Sequence, residues 1–229
     1  MSPARVLYIT GASSGIGAAT ARRAVQDGWK VGLAARSEDK LAALVADLGE
    51  ENALAIRCDV TEWDDQQATV AATIDRFGAI DAVFANAGFG AARGFLEESP
   101  EQWRSMIDTN VYGCALTIRA ALPHLLERNA GHFLLTGSVA GRVALPGSLY
   151  SATKWAVTAM GESLRKEVGE TPIRVTLIEP GMVSTPFFDN PVEGGLEPED
   201  IAAAVLYALS QPARVDVNEI LIRPVNQPV

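Results

Sequence analysis

Short apolar runs rich in β-branched and aliphatic residues alternate with longer helix-forming segments along the chain. The runs read as strands at 5–10, 30–35, 53–57, 80–85, 131–137, 173–179 and 219–223. The segments between them read as helices at about 15–27, 38–48, 64–77, 100–128, 149–169 and 198–210. This alternation predicts an α/β fold with a parallel sheet and helices on both faces. No repeat, low-complexity tract or interdomain linker interrupts it, so residues 1–229 are expected to form a single doubly wound domain. The long irregular stretch is 180–197, with Pro186, Pro191, Gly194 and Gly195. A loop of that length in a compact domain is either a functional lid, here over a substrate, or a plain surface connection.

Composition narrows the class. A chain of 229 residues is long enough for a sizeable core, and with 48% hydrophobic but only 7% aromatic residues, alanine and aliphatic side chains must build it. The formal charge of −9 argues against nucleic acid and anionic membranes as partners. Cys58 and Cys114 lie in apolar segments and read as buried thiols, with no disulfide or metal framework. No apolar run reaches the ~18 residues of a membrane span, and the start lacks the apolar stretch of a signal peptide. A cytoplasmic location is expected.

Two short segments carry candidate chemistry. In the first, Val6-Leu7-Tyr8-Ile9-Thr10 runs into Gly11-Ala12-Ser13-Ser14-Gly15-Ile16-Gly17 and then into a helix-forming stretch. Strand, glycine-rich turn and helix form the context of a dinucleotide site. Gly11 permits a tight turn, Gly15 lets the backbone approach a pyrophosphate, and Gly17 allows close helix–strand packing. The helix amino terminus offers N–H groups and partial positive charge to phosphates. The spacing is Gly-x-x-x-Gly-x-Gly, which departs from the commoner Gly-x-Gly-x-x-Gly fingerprint. In the second segment, Tyr150 and Lys154 lie four apart on an expected helix and project from one face. A free tyrosine titrates near ~10, and a neighbouring ammonium lowers that value by favouring the phenolate. The pair is a candidate proton-transfer device, although alone such a pair is commonly a surface hydrogen bond.

Thr10-Gly-x-x-x-Gly-x-Gly17, Ala85-Asn86-Ala87-Gly88, Asn110, Ser138, Tyr150-x-x-x-Lys154 and Pro180-Gly181-Met182-Val183-Ser184-Thr185 follow in that order. With them the chain resembles the short-chain dehydrogenase/reductase family over nearly its whole length. The resemblance implies a Rossmann-type domain and reversible hydride transfer between NAD(P)(H) and a carbonyl or alcohol. It implies that Tyr150 exchanges a proton with the substrate oxygen and that Ser138 hydrogen-bonds that oxygen. Lys154 would bind the nicotinamide ribose and lower the tyrosine pKa, and Asn110 would disturb its helix and hold a relay water. Asn86, Ala87 and Gly88 would line the cofactor site. Pro180, Gly181, Val183 and Thr185 would meet the nicotinamide end, and Asp59 and Val60 the adenine. Asp59 also suits a helix cap before Thr61. Ala85 departs mildly from the family's usual asparagine.

The second strand ends at Ala35-Arg36. NAD enzymes of this general fold place an acid there for the ribose hydroxyls, whereas an arginine suits a 2′-phosphate. NADP(H) is therefore favoured over NAD(H), with Ser13 and Ser37 as further hydroxyl donors. Ser14 stands where some NADP-using relatives carry a basic residue. The alternative for Arg36 is a solvated loop residue. The ending Asn218 to Gln227 resembles a subgroup that includes NADP-linked hydroxy-acid dehydrogenases and clavulanate-type reductases.

Phe89, Gly90, Ala140, Leu145, Pro146, Met182, Phe187 and Phe188 lie near the catalytic group in sequence and are mostly apolar. A pocket so lined suits an apolar or medium-sized ketone, aldehyde or hydroxy acid. Arg93 and Arg142 are the candidate carboxylate clamps, with Arg142 favoured because it lies between Ser138 and Tyr150, and a solvated loop arginine as its alternative. Segments 100–128 and 149–169, with Trp103, Met106, Leu116, Leu122, Trp155, Met160 and Leu164, carry enough apolar surface for both core and the subunit contact that the resemblance implies, although the amphipathic helices of a monomer would look much the same. The resemblance implies a homotetramer or a homodimer. A cofactor-sensing regulator on the same fold is the alternative to an enzyme.

Overall fold

The protein is described by a computed structural model covering residues 4–187 and 192–227. Phe188 and Pro191 lie outside the described residues. Strands β1 (Val6–Thr10), β2 (Lys30–Ala35), β3 (Ala53–Arg57), β4 (Ala82–Ala85), β5 (Gly131–Thr136), β6 (Ile173–Pro180) and β7 (Glu219–Ile222) form one sheet. Its order is β3-β2-β1-β4-β5-β6-β7. Every neighbouring pair is parallel, so the sheet is parallel throughout, as the alternation of elements predicts.

Helices α1 (Gly15–Gln26), α2 (Glu38–Leu48), α3 (Trp63–Phe77), α4 (Pro100–Ile107), α5 (Cys114–Arg128), α6 (Leu149–Glu167) and α7 (Pro198–Ser210) cover both faces. Residues of β1 are buried throughout, as a central parallel strand requires, and successive side chains enter opposite layers. Leu7 and Ile9 pack with Leu33, Leu41, Ile201 and Val205. Tyr8 packs with Val83, Leu125, Phe133 and Leu164 on the other side. The edge strand β3 instead begins on buried Ala53 and then alternates between half-buried and exposed positions.

The segment expected as one helix over 100–128 is divided. Between α4 and α5 the chain forms a π-helical turn, Asp108–Gly113, with Asn110 at its buried centre. Gly113 has no room for a side chain, because an added Cβ would press on Val60. The apolar residues of these helices separate by role. Met106, Leu116 and Leu164 enter the core, whereas Ile107, Tyr112 and Trp155 remain exposed.

Strand order reverses between β1 and β4, so the crevice beyond their carboxyl ends is the place where an open α/β sheet binds ligands. Hydrogen bonds close the base of that crevice. Thr10 Oγ1 accepts from the backbone N–H groups of Asn86 (3.1 Å) and Ala87 (3.2 Å). Asn86 Nδ2 donates to the Thr10 carbonyl at 3.1 Å, and its Oδ1 accepts from Thr136 at 3.2 Å. One asparagine thus ties together three strands.

His132 lies buried on β5 with Nε2 2.7 Å from Thr176 Oγ1. That hydroxyl donates to the Val217 carbonyl, so Nε2 carries the proton toward Thr176, and Nδ1 is buried without a partner. Burial pushes this imidazole down from its ordinary 6.5 to about 3, with Arg174 adding to the effect. The folded chain therefore resists a proton that the unfolded chain accepts below 6.5. Stability should fall on acidification from 6.5 toward 3, by about 1.4 kcal/mol per pH unit from this group. His132→Gln, which keeps a donor without the titration, should flatten the acid limb of Tm against pH. An unchanged limb would contradict the assignment.

Candidate active site

A cleft of about 490 Å3 opens at the carboxyl ends of the strands. It runs from Arg36 and Ser37 after β2, past Asp59 and Val60, across the Gly11–Ile16 turn, to Ser138, Tyr150 and Lys154. Gly17, assigned above to the cofactor, and Asn110, assigned above to the catalytic group, do not line it. Pro146 does not line it either and is exposed.

The glycine turn is built for close approach. Gly15 has φ +50 at the start of α1, and its position is bounded by the methyl of Thr185. A side chain at Gly17 would collide with the Gly11 carbonyl and the Asn86 amide. Helix α1 therefore seats directly on the turn, with its first N–H groups facing the cleft. Ser14 caps that helix by position but makes no side-chain cap hydrogen bond. This cradle fits the pyrophosphate of a dinucleotide.

At the far end Arg36 is exposed and forms no ion pair among the described residues. Asp59 Oδ1 accepts from both the backbone and hydroxyl of Thr61 (3.0 and 2.8 Å), so it holds a turn before α3 rather than capping that helix. Burial opposes its charge, but the Thr61 hydrogen bonds and the Arg36 and Arg57 charges outweigh it and hold the carboxyl below the usual range.

The catalytic candidates converge at the other end. Ser148 caps α6, its hydroxyl accepting from the Ser151 N–H at 3.2 Å, and this sets Tyr150 in the first turn. Lys154 follows one turn later and is only 4% exposed. Its ammonium donates to the Thr136 carbonyl at 2.7 Å and lies 5.6 Å from the Tyr150 ring centre. Ser138 Oγ accepts from the Ala140 N–H at 3.1 Å and also hydrogen-bonds the Tyr150 hydroxyl.

Burial pushes Tyr150 up to about 12, with the Ser138 hydrogen bond pulling the other way. Burial also pushes Lys154 down to about 8. The expected lowering of the tyrosine by its lysine is therefore not the dominant effect in this geometry, and desolvation outweighs it. A phenol held in its protonated form is a proton donor.

Asn110 does not reach into the cleft. Its Nδ2 donates to the Phe89 carbonyl (2.9 Å) and Thr153 hydroxyl (3.1 Å), and its Oδ1 accepts from the Phe89 N–H (3.0 Å). The side chain is thus a staple between the segment after β4 and α6.

Beyond β6, Leu196 bonds to both Met182 (2.9 Å) and Ser184 (2.7 Å). This parallel bridge leaves the N–H and C=O of Val183 facing away from Leu196. Phe187 packs edge-to-face on Tyr150, with ring centres 5.5 Å apart. Ala140, Leu145, Met182 and Phe187 give the substrate end an apolar lining. Gln227 was missed by sequence reasoning. Its Oε1 accepts from the Met182 N–H at 2.9 Å, so the end of the chain folds back to brace the turn after Pro180. No local pattern around residue 227 signals that return.

Arg142, favoured as a carboxylate clamp, is already committed. It lies outside the cleft and pairs with Glu179 at 2.7 Å and Glu219 at 2.5 Å. Glu179 is 1% exposed, and its second oxygen is buried without a hydrogen-bond partner. Burial raises this carboxyl while Arg142 opposes the shift.

A doubly wound sheet, a glycine cradle at its switch point and a serine–tyrosine–lysine group lining one end of the cleft define a nicotinamide-dependent oxidoreductase. The chain belongs to the short chain dehydrogenase family, whose sequence model matches residues 5–194. It is 44% identical over 225 residues to an uncharacterized oxidoreductase of Staphylococcus haemolyticus, spanning 96% of this chain and 97% of that one. A serine dehydrogenase from Escherichia coli superposes with a TM-score of 0.90 at 34% identity, covering 98% and 100% of the two chains. An alcohol dehydrogenase from Thermococcus sibiricus, solved with 5-hydroxy-NADP, gives 0.91 at 34%, with 98% of each covered. A 3-ketoacyl-(acyl-carrier-protein) reductase from Brucella melitensis, solved with NADH, gives 0.88 at 27%, covering 96% and 97%. The protein is thus an NAD(P)-dependent dehydrogenase or reductase.

Breaking the Arg142 pair should be costly. Arg142→Met leaves Glu179 buried and uncompensated, with an expected loss of about 3 kcal/mol at neutral pH. The loss should shrink on acidification, because the stranded carboxylate then takes up a proton. Arg142→Met/Glu179→Leu should recover most of it in denaturant titrations. A single variant within about 0.5 kcal/mol of the parent would show that the pair does no structural work.

Proposed function

We propose that the protein transfers hydride between NADP(H) and a carbonyl or alcohol substrate, acting as a carbonyl reductase or alcohol dehydrogenase. The observation that carries this reading is the convergence of Ser138, Tyr150 and Lys154 at one end of a cleft whose middle is the glycine cradle. Bound there, the nicotinamide supplies or accepts the hydride. Ser138 and Tyr150 hold the substrate oxygen between their hydroxyls. In reduction Tyr150 passes its proton to that oxygen, and the Lys154 ammonium stabilises the phenolate left behind. In oxidation the phenolate takes the proton back. Asn110 keeps α6 in register with the wall after β4, and Thr185 with the Val183 backbone meets the carboxamide end.

Arg36 supports NADP(H), because an exposed guanidinium without an ion pair among the described residues, lining the same cleft as the hydroxyls of Ser13 and Ser37, suits a 2′-phosphate. NAD(H) is the alternative. The apolar lining supports a ketone, aldehyde or hydroxy acid of medium size. Exposed Ile107, Tyr112 and Trp155 on the α4–α6 side support a homodimer or homotetramer, and the continuous sheet supports one domain with 180–197 as its substrate loop. A cytoplasmic setting agrees with the two free cysteines, Cys58 and Cys114. No helix among the described residues is long and apolar enough to cross a membrane.

The test is parallel oxidation of NADPH and NADH across aldehydes, ketones, diketones and oxo acids. Tyr150→Phe should lower turnover by about 100-fold or more while NADPH binding stays within about threefold. Retained turnover would refute the proton-donor role, and tight NADPH binding without turnover of any compound would favour a cofactor-sensing regulator. Arg36→Asp should shift the NADPH:NADH ratio of kcat/KM by about tenfold or more toward NADH, and an unchanged ratio would refute the phosphate contact.

The pH dependence follows from the two shifted groups. Tyr150, pushed up to about 12, stays protonated through neutral pH and can donate, whereas Lys154 loses its charge as pH rises through about 8. Reduction should therefore be flat below about 7 and fall through 8, while alcohol oxidation, which needs phenolate, should rise with pH. Reduction that increases across pH 8 would contradict this arrangement.

A further inference from the structure

We propose that Arg93 is the anchor for an anionic group on the substrate, and that the preferred substrate is an oxo acid or hydroxy acid with a free carboxylate. This rests on the hydride-transfer reading above and adds to it the substrate's second recognition point.

Four charged side chains line the cleft among the described residues. Arg36 and Asp59 stand at its β2–β3 end. Lys154 is buried and bonded to the Thr136 carbonyl. Arg93 is the fourth, and the segment that carries it belongs to the substrate end by contact on two sides. On one side Phe187, which packs on Tyr150, closes against Gly90 so tightly that an added Cβ would meet the ring. On the other side the Gly94 N–H donates to the Gly147 carbonyl at 2.8 Å, three residues before Tyr150. Gly147 has φ +60, and a Cβ there would strike the Gly94 backbone, so the two segments are held edge to edge. Arg93 thus sits between two clamps that both lead to the reacting hydroxyl.

Its charge is available. Arg93 is exposed and forms no ion pair among the described residues. Glu98, an acid of the same loop, uses one oxygen for the Ala92 N–H (3.2 Å) and the other for the Ser99 N–H (3.2 Å). Arg142, the other arginine in the substrate segments, is consumed by Glu179 and Glu219. In a chain of net charge −9, an uncommitted guanidinium at the mouth of an otherwise apolar pocket is a selective feature for an anion. A planar carboxylate matches its fork-shaped donor geometry. The reducible carbonyl would meet Ser138 and Tyr150, and the carboxylate would meet Arg93 across Leu145 and Phe187.

The experiment compares kcat/KM for oxo acids of increasing chain length with that for their methyl esters and the matching oxoalkyl phosphates, in the parent protein and in Arg93→Gln and Arg93→Lys. The parent should favour the best acid over its ester by about tenfold or more. Arg93→Gln should remove that preference, mainly through KM, while ester turnover and NADPH binding stay within about twofold. Arg93→Lys should restore part of the preference. A parent that treats acid and ester alike, or an acid:ester ratio unchanged in Arg93→Gln, would overturn the proposal while leaving hydride transfer intact. A preference for the phosphates over the acids would overturn the carboxylate assignment. If neither acids nor esters are reduced above the Tyr150→Phe background, the hydride-transfer reading fails, and the proposal with it.

Discussion

The close approach of the turn after β1 to the segment after β4 is the constraint on which the site depends. Gly11 and Gly17 leave no volume for side chains, and the space they free is filled by the Asn86 amide and the Ala87 backbone. Thr10, Asn86 and Thr136 then hydrogen-bond across β1, β4 and β5. The Thr136 carbonyl in turn receives the Lys154 ammonium at 2.7 Å. A single polar seam thus joins the phosphate cradle to the proton-transfer group. Buried polar groups linked this way are costly unless all are satisfied, which makes the seam specific to one arrangement of helices α1 and α6.

Desolvation sets the chemistry at the end of that seam. It pushes the Tyr150 phenol up and the Lys154 ammonium down, so both groups resist ionisation in the closed environment. Ser138 offsets part of the tyrosine shift. The phenol therefore stays loaded with its proton at neutral pH, and the lysine, while it keeps its charge, stabilises the phenolate that transfer leaves behind. Arg142 and Glu179 work behind this group rather than in it. Their pair fastens the turn after Ser138 to the end of β6, just before the Pro180–Gly181 turn.

Much of this was legible in the chain because it is local. Alternating strand and helix periods fixed the element order, and β-rich runs such as Val6–Thr10 marked strands buried on both faces. The glycine spacing and the Tyr150–Lys154 interval located both ends of the cleft. Tertiary context decided the rest. Residues 100–128 read as one helix, since no local period marks a π-helical turn, and Asn110 reveals its purpose only through Phe89 and Thr153. Arg142 stood at the right place in sequence for a substrate clamp. Its partners Glu179 and Glu219 lie on β6 and β7, and only the folded sheet brings them to it. The bracing role of Gln227 was hidden for the same reason, as its partner is the backbone of Met182.

The most direct test of the account is to follow the transferred atom itself. The protein would be supplied with NADPH carrying deuterium at both positions of the reactive nicotinamide carbon and with a carbonyl compound that it reduces. Mass and position of the label in the alcohol would be read by mass spectrometry and NMR. The account predicts one deuterium on the new carbinol carbon, with none when Tyr150→Phe replaces the parent protein. Alcohol formed without label, or label transferred equally well by Tyr150→Phe, would contradict it.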